Sequence, residues 1–82
     1  MKNYVNEISK VMFDFDIEGL ADLGCPEDEY MNEAELINKK INNKMSNVEI
    51  ANICKDIFNQ SFIANYSTEI FIDISNEILK II

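Results

Sequence analysis

The sequence contains no histidine and no arginine, and all seven of its basic residues are lysines. Without histidine, the chain lacks the side chain that most often transfers protons near neutral pH, and it cannot complete a cysteine–histidine zinc site. Without arginine, it lacks the side chain best suited to gripping phosphates and carboxylates. No motif for catalysis by carboxylates or lysine stands out. The composition therefore predicts a protein that is not an enzyme and needs no cofactor or metal.

Long apolar runs are also missing. The longest apolar stretches are far shorter than the roughly 18 residues that cross a membrane, and the polar start of the chain (Lys2, Asn3, Asn6) does not resemble a secretion signal. We therefore expect a cytoplasmic protein that does not bind membranes. Cys25 and Cys54 are expected to be structural or incidental thiols, because nothing indicates an oxidising compartment.

Acidic residues outnumber lysines, and the excess lies in one part of the chain. Residues 1–35 hold ten acids and two lysines, whereas residues 36–82 hold five of each, so the first part carries the whole net charge of −8. From Asp14 to Glu35 there is no lysine, and we call residues 14–35 the acidic segment. Its charge would attract a basic protein and repel nucleic acid. Solubility alone would also explain acids, but it does not require their segregation.

Apolar residues recur at intervals of three and four, which predicts helices. Ser46 and Glu49 fit a capping box, and residues 70–74 also contain many strand formers, although the pattern over 70–82 favours a helix. Gly19 and Gly24 mark turns within a long connection over residues 14–31. The predicted helices cover about Asn3–Phe13, Asn32–Asn43, 46–61 and 70–82. We expect an all-α fold, a small four-helix bundle forming one domain over residues 1–82, with a long acidic loop between helices 1 and 2.

Two known motifs fail on inspection. Asp14, Asp16, Glu18 and Gly19 match the start of a calcium-binding EF-hand loop, but Cys25 stands where the twelfth position needs a bidentate glutamate. An acyl carrier protein is also small, acidic and helical, but it needs an attachment serine at the start of its second helix. The chain has none there, so neither calcium nor a carrier prosthetic group is expected.

One part of the acidic segment resembles a known signature. Residues 15–20 (Phe-Asp-Ile-Glu-Gly-Leu) and 24–30 (Gly-Cys-Pro-Glu-Asp-Glu-Tyr) resemble a family of small helical bacterial proteins with Trp-Asp-Pro-x-Gly-aliphatic followed by Ala-Pro-Glu-Asp-Glu-Tyr-Asp. The resemblance covers residues 8–62, and 26–30 is its most specific part. Here Phe15 replaces Trp, Ile17 replaces Pro and Met31 replaces the capping Asp. The resemblance implies an all-helical fold, and some members resemble immunity proteins encoded beside bacterial toxins.

The leading hypothesis is therefore an immunity protein that binds a basic toxin domain, often a nuclease, through its acidic segment. Tyr30 is open between two roles, an interface anchor and a core residue that docks the segment. The alternative is a small regulatory helical protein that self-associates as a homo-oligomer, and a carrier or enzyme is the least favoured reading. The residues predicted to contact the partner are Asp16, Glu18, Leu20, Asp22, Leu23, Glu27, Asp28, Glu29, Tyr30 and Glu33.

Overall fold

The computed structural model describes residues 3–17, 19, 24 and 30–82. Over these residues the chain forms helices and no strand, which confirms the predicted all-α fold with four helices. The segment that was ambiguous between helix and strand is helical. The elements are α1 (Val5–Phe15), α2 (Met31–Lys40), α3 (Asn47–Phe62), a 3-10 helix (Thr68–Phe71) and α4 (Ile72–Ile81).

Helices α1 and α2 run antiparallel, as contacts at their ends show. The backbone N–H of Tyr4, just before α1, donates to Asn38 Oδ1 near the end of α2 at 3.1 Å. At the opposite end, the Tyr30 hydroxyl just before α2 donates to Asp16 Oδ1 just after α1, also at 3.1 Å. The start of each helix therefore lies beside the end of the other.

Helices α3 and α4 continue this up-and-down order. The Tyr30 ring packs against Phe58 and Phe62 in the last two turns of α3, so α3 ends where α2 begins. Asn47 Nδ2 in the first turn of α3 donates to Asn76 Oδ1 in the middle of α4 at 3.1 Å. Phe71, directly before α4, contacts Phe58 with ring centroids 5.1 Å apart.

One buried cluster joins all four helices. Because each helix turns one apolar face inward, the inward positions repeat every three or four residues. Aromatic rings from α3, from Tyr30 and from the 3-10 helix form the part of this core nearest the acidic segment. The buried apolar residues are Ile8, Met12, Tyr30, Ala34, Ile37, Ile50, Ala51, Cys54, Ile57, Phe58, Phe71, Ile74 and Ile78.

The first helix is longer at its C-terminal end than the sequence predicted. The residue directly before α1 is Tyr4, whose side chain makes no capping bond, but Asn3 Oδ1 accepts the Val5 N–H at 2.9 Å and so gives a partner to a free amide of the first turn. The helix then continues through Phe15 instead of ending near Phe13, and Asp16 closes it in the left-handed conformation with φ 51°. Asp tolerates this conformation better than most residues. Helix α2 ends at Lys40, earlier than the predicted end at Asn43.

The start of α3 is fixed by the capping box that the sequence predicted. Ser46 Oγ accepts the Glu49 N–H, and Glu49 Oε1 accepts the Ser46 N–H, both at 3.2 Å. These bonds satisfy two backbone amides that the helix itself leaves without partners.

Replacing Ser46 with alanine removes one of these bonds. We expect the free energy of unfolding to fall by about 1 kcal/mol, measured by urea denaturation. Ser61→Ala is the matched control, because Ser61 is an exposed residue in the last turn of the same helix. Equal denaturation midpoints for the two variants would contradict the assigned cap.

The turn after α3 holds a β-branched residue in a conformation that such residues rarely adopt. Ile63 has φ 50°, in the left-handed region where its branched Cβ is crowded. Asn59 holds the turn from both its backbone and its side chain. Its carbonyl accepts the N–H groups of Ile63 and of Ala64, the latter at 3.1 Å. Its carboxamide accepts the Tyr66 N–H at 2.7 Å and donates to the Tyr66 carbonyl at 3.2 Å.

Replacing Ile63 with glycine should relieve this strain. The left-handed conformation costs a branched residue about 1–2 kcal/mol, and the greater freedom of an unfolded glycine offsets part of the gain. We expect Ile63→Gly to raise the free energy of unfolding by about 1 kcal/mol, measured by urea denaturation. Val48→Gly, at an exposed position with ordinary helical backbone, should lower it instead. A loss of stability in Ile63→Gly would contradict the strain.

Candidate functional site

The part of the acidic segment between α1 and α2 begins and ends at the same place on the bundle. Asp16 and Tyr30 are 14 positions apart in sequence, yet the Tyr30 hydroxyl donates to the Asp16 carboxylate. The chain also turns directly after α1, where the Gly19 N–H donates to the Asp16 carbonyl at 3.0 Å and Gly19 has φ 72°. A side chain at position 19 would be strained in that conformation. The described ends of the segment are therefore joined at one end of the bundle.

Tyr30 belongs to the core. Its side chain has 0% exposure, and its ring stacks on Phe58 at 5.8 Å and meets Phe62 edge-on at 6.3 Å. Of the two roles that the sequence left open, the structure has the one in which Tyr30 docks the acidic segment. A side chain without exposed surface offers no contact to a partner in this conformation.

Glu33 also has little surface to offer. It lies in the first turn of α2 and is only 8% exposed. A carboxylate in that position interacts favourably with the free amides at the helix N-terminus. Among the described residues predicted as contacts, Asp16 alone is more than slightly exposed.

Seven predicted contacts fall outside the described residues, and their placement is not tested. They are Glu18, Leu20, Asp22, Leu23, Glu27, Asp28 and Glu29. The sequence nevertheless fixes their order between Asp16 and Tyr30, two residues that the structure holds together.

The described charges separate along the bundle. We call the end where α1 and α3 finish and α2 and α4 start the acidic end, and the opposite end the lysine end. Among the described residues, no lysine lies at the acidic end. The lysine end has four lysines, which lie in or just after the last turns of α2 and α4, and it also has three acids. The described acids of the acidic end are Asp14, Asp16, Glu33, Glu69 and Asp73. The lysines of the lysine end are Lys39, Lys40, Lys44 and Lys80.

The two ion pairs that the structure shows among the described residues lie away from the acidic end. Lys80 pairs with Glu77 at 2.7 Å within α4, and Lys55 lies 3.6 Å from its neighbour Asp56 in α3. Both pairs join residues of the same helix in the second half of the chain. Exposed pairs of this kind contribute little to stability.

The described residues contain no group of three or more His, Cys, Asp or Glu side chains that could hold a metal ion. The Cys54 thiol is buried, and burial raises its pKa from 9.0 to about 12, so at neutral pH it is a protonated core residue instead of a nucleophile. A shallow groove of about 430 Å³ between α1 and α2 has mixed polar and apolar walls, which include Val5, Met31 and Asn38.

Within the described ranges, every helix is too short or too polar to cross a membrane.

Comparison with known proteins gives no relative from which a function could be transferred. No family model, no curated protein and no solved structure matches the chain.

Proposed function

We propose that the protein is a binding module whose acidic end docks onto a basic protein, and that its role is to neutralise a basic toxin domain as an immunity protein. The observation that carries this proposal is the separation of charge along the bundle. The described lysines that could offset the acidic segment lie at the opposite end or midway along helices.

The joined ends of the segment give this charge a fixed point of attachment. Tyr30 is held by two aromatic contacts and by its bond to Asp16, so the segment starts and ends on the rigid part of the fold. Binding residues in proteins are often carried by loops that a rigid scaffold positions. The negative field of the acidic end would speed encounter with a cationic surface and select against acidic partners.

A nuclease toxin fits this chemistry. Enzymes that hold nucleic acid are positively charged where they bind phosphates. An acidic protein that occupies that surface blocks the approach of the substrate without copying its structure. The resemblance of residues 15–20 and 24–30 to a family that includes immunity-like proteins supports the same role. A partner that is not a nuclease would still need a basic surface to bind the acidic end.

The proposal is tested by affinity capture with matched baits. The wild-type protein and two variants, each with net charge −8 + 3 = −5, are immobilised and exposed to lysate from the same cells. The first variant, Glu27→Gln/Asp28→Asn/Glu29→Gln, removes three charges from the acidic segment. The second, Glu7→Gln/Asp56→Asn/Glu77→Gln, removes three charges from other parts of the surface.

We expect a basic protein that the wild type and the second variant retain, that the first variant retains poorly, and that elutes as salt rises. Three outcomes contradict the proposal: a captured protein that is acidic, equal capture by both variants, or no protein that the wild type retains better than the first variant does.

Self-association is the second candidate, because the apolar side chains of Phe15, Ile63 and Ile70 are exposed at the acidic end. Sedimentation equilibrium distinguishes it. A stable homodimer that buries the acidic end would leave no surface for a basic partner and would contradict the proposed function. A monomer at high protein concentration is the expected result, since two acidic ends repel each other.

A further inference from the structure

Exposed apolar residues gather at the same end of the bundle as the described acids. Among the described residues, five large apolar side chains are well exposed, and three of them lie where α1 and α3 end or where the 3-10 helix precedes α4. Protein interfaces combine apolar contacts with a polar or charged surround. The three residues at the acidic end are Phe15, Ile63 and Ile70.

Ile63 differs from the others in two ways. It is 93% exposed, whereas the other four are 41–49% exposed and so keep about half of their surface packed. It also occupies a left-handed position where glycine or asparagine would fit without strain. Single exposed apolar residues are common and need no explanation. A strained one with almost no packing of its own stabilises nothing within the chain, which makes it a candidate for contact outside the chain.

The turn that carries Ile63 is rigid and uncharged. Asn59 fixes it through its bonds to Ile63, Ala64 and Tyr66. No charged residue occurs from Ile57 to Thr68, although the chain carries −8 overall. The turn directly follows Phe62, whose ring contacts Tyr30, the residue that ends the loop of the acidic segment. The exposed Ile63 therefore lies in an uncharged turn close to Tyr30, which attaches the acidic segment to the bundle.

We propose that Ile63 is the apolar anchor of the acidic end and inserts into an apolar patch on a cationic partner surface. This inference rests on the proposed function and specifies the partner further, since lysines or arginines alone would not suffice. Charge accelerates and orients the encounter, and burial of the Ile63 side chain slows dissociation. A rigid turn loses little conformational freedom when it binds, so more of the contact energy remains as affinity. Tyr30, which the sequence offered as an anchor, is buried and unavailable for this contact.

Two synthetic peptides test the inference without prior identification of the natural partner. Both are amphipathic helix formers with the same number and spacing of lysines. One carries leucine on the face opposite the lysines, and the other carries serine there. Each is titrated into the isotope-labelled full chain at low and at raised ionic strength, and backbone amide shifts give the affinity and the residues affected. The same titrations are run on Ile63→Asn and on the control Val48→Asn.

We expect the leucine peptide to bind about tenfold more tightly than the serine peptide and to shift the amides of residues 62–66. Ile63→Asn should bring the leucine peptide down to the affinity of the serine peptide, because asparagine accepts the left-handed conformation and keeps the turn folded. Val48→Asn removes an exposed apolar residue at the lysine end and should change neither affinity.

The outcomes separate this inference from the proposed function. Equal, salt-sensitive binding of both peptides would overturn the anchor and leave the charged end intact. The same holds if Ile63→Asn has no effect on a salt-sensitive interaction. Tight binding of the leucine peptide that depends on Ile63 but not on salt would support the anchor and count against electrostatic docking. Absence of binding by either peptide would overturn both.

Discussion

Replacing Tyr30 with alanine should lower the free energy of unfolding by about 3–5 kcal/mol, because the change removes a fully buried aromatic side chain and leaves a cavity. The loss is large for this chain, since a domain of 82 residues has a total stability of about 4–12 kcal/mol. The ring joins Phe58 and Phe62 of α3 to the start of α2. Urea denaturation followed by circular dichroism measures the effect, and a loss below about 1 kcal/mol would contradict the buried position.

Tyr30→Phe separates the ring from the hydroxyl. It keeps the aromatic packing and removes the bond to Asp16, so we expect a loss of about 1 kcal/mol. Hydrogen exchange at the amide of Asp16 should become faster in this variant, because the end of α1 loses this hydrogen bond to the residue before α2. If Tyr30→Phe were as damaging as Tyr30→Ala, the polar bond and not the core packing would hold the base of the acidic segment.

Alkaline pH should destabilise the protein through Cys54. The pKa of this thiol is raised from 9.0 to about 12 by burial, so the folded state holds the proton more tightly than the unfolded state. The thiol adds no pH dependence to the free energy of unfolding below pH 9.0. As pH rises from there towards about 12, the thiol lowers that free energy by about 1.4 kcal/mol for each pH unit. Near pH 11 the loss from this one group should reach roughly 3 kcal/mol.

Cys54→Ala isolates this contribution. Lysines and tyrosines also titrate above neutral pH, but they do so in both proteins. We therefore expect the difference in unfolding free energy between wild type and Cys54→Ala to stay constant up to about pH 9 and then to shift steadily against the wild type. Parallel stability curves up to about pH 11 would show that the thiol ionises without unfolding the core.

The helices were predictable because their signals are local. Ser46 and Glu49 form the capping box within four residues of chain, and Ile74 and Ile78 repeat at the helical interval that buries them. The end of α1 was predicted near Phe13 instead of Phe15, because Asp16 closes the helix in the left-handed conformation and aspartate signals such an end less strongly than glycine does. The end of α3, which Ile63 closes in the same conformation, was predicted closely, at 61 against the observed Phe62.

The position of Tyr30 required the tertiary structure. A tyrosine at the end of an acidic run fits an interface anchor and a core residue equally well by composition. Its burial depends on Phe58 and Phe62, which lie about 30 positions further along the chain. The exposure of Ile63 was missed for a related reason. From sequence, an isoleucine that follows a helix is expected to be a buried core residue, and only the geometry of the turn held by Asn59 shows that Ile63 is exposed.

The segregation of acids from lysines was visible in the sequence, but the positions of the two groups at opposite ends of the bundle were not. Ten acids against two lysines in residues 1–35 predicted a negative region, whereas the antiparallel order of the helices places the lysines that follow α2 and close α4 at the other end. The same order brings the charge-free turn after α3 to the acidic end. The proposed docking depends on the charge, and the exposed Ile63 adds the apolar contact that would make a partner surface more specific.

The rate of association at varied ionic strength is the sharpest test of docking through the acidic end. The purified basic partner is mixed by stopped flow with the wild type, with Glu27→Gln/Asp28→Asn/Glu29→Gln, and with Glu7→Gln/Asp56→Asn/Glu77→Gln. We predict that the association rate constant of the wild type falls steeply as salt rises, and that the first variant associates roughly tenfold more slowly at low salt while the second stays close to wild type. Rate constants that do not depend on salt, or that fall equally in the two variants, would contradict docking through the acidic end.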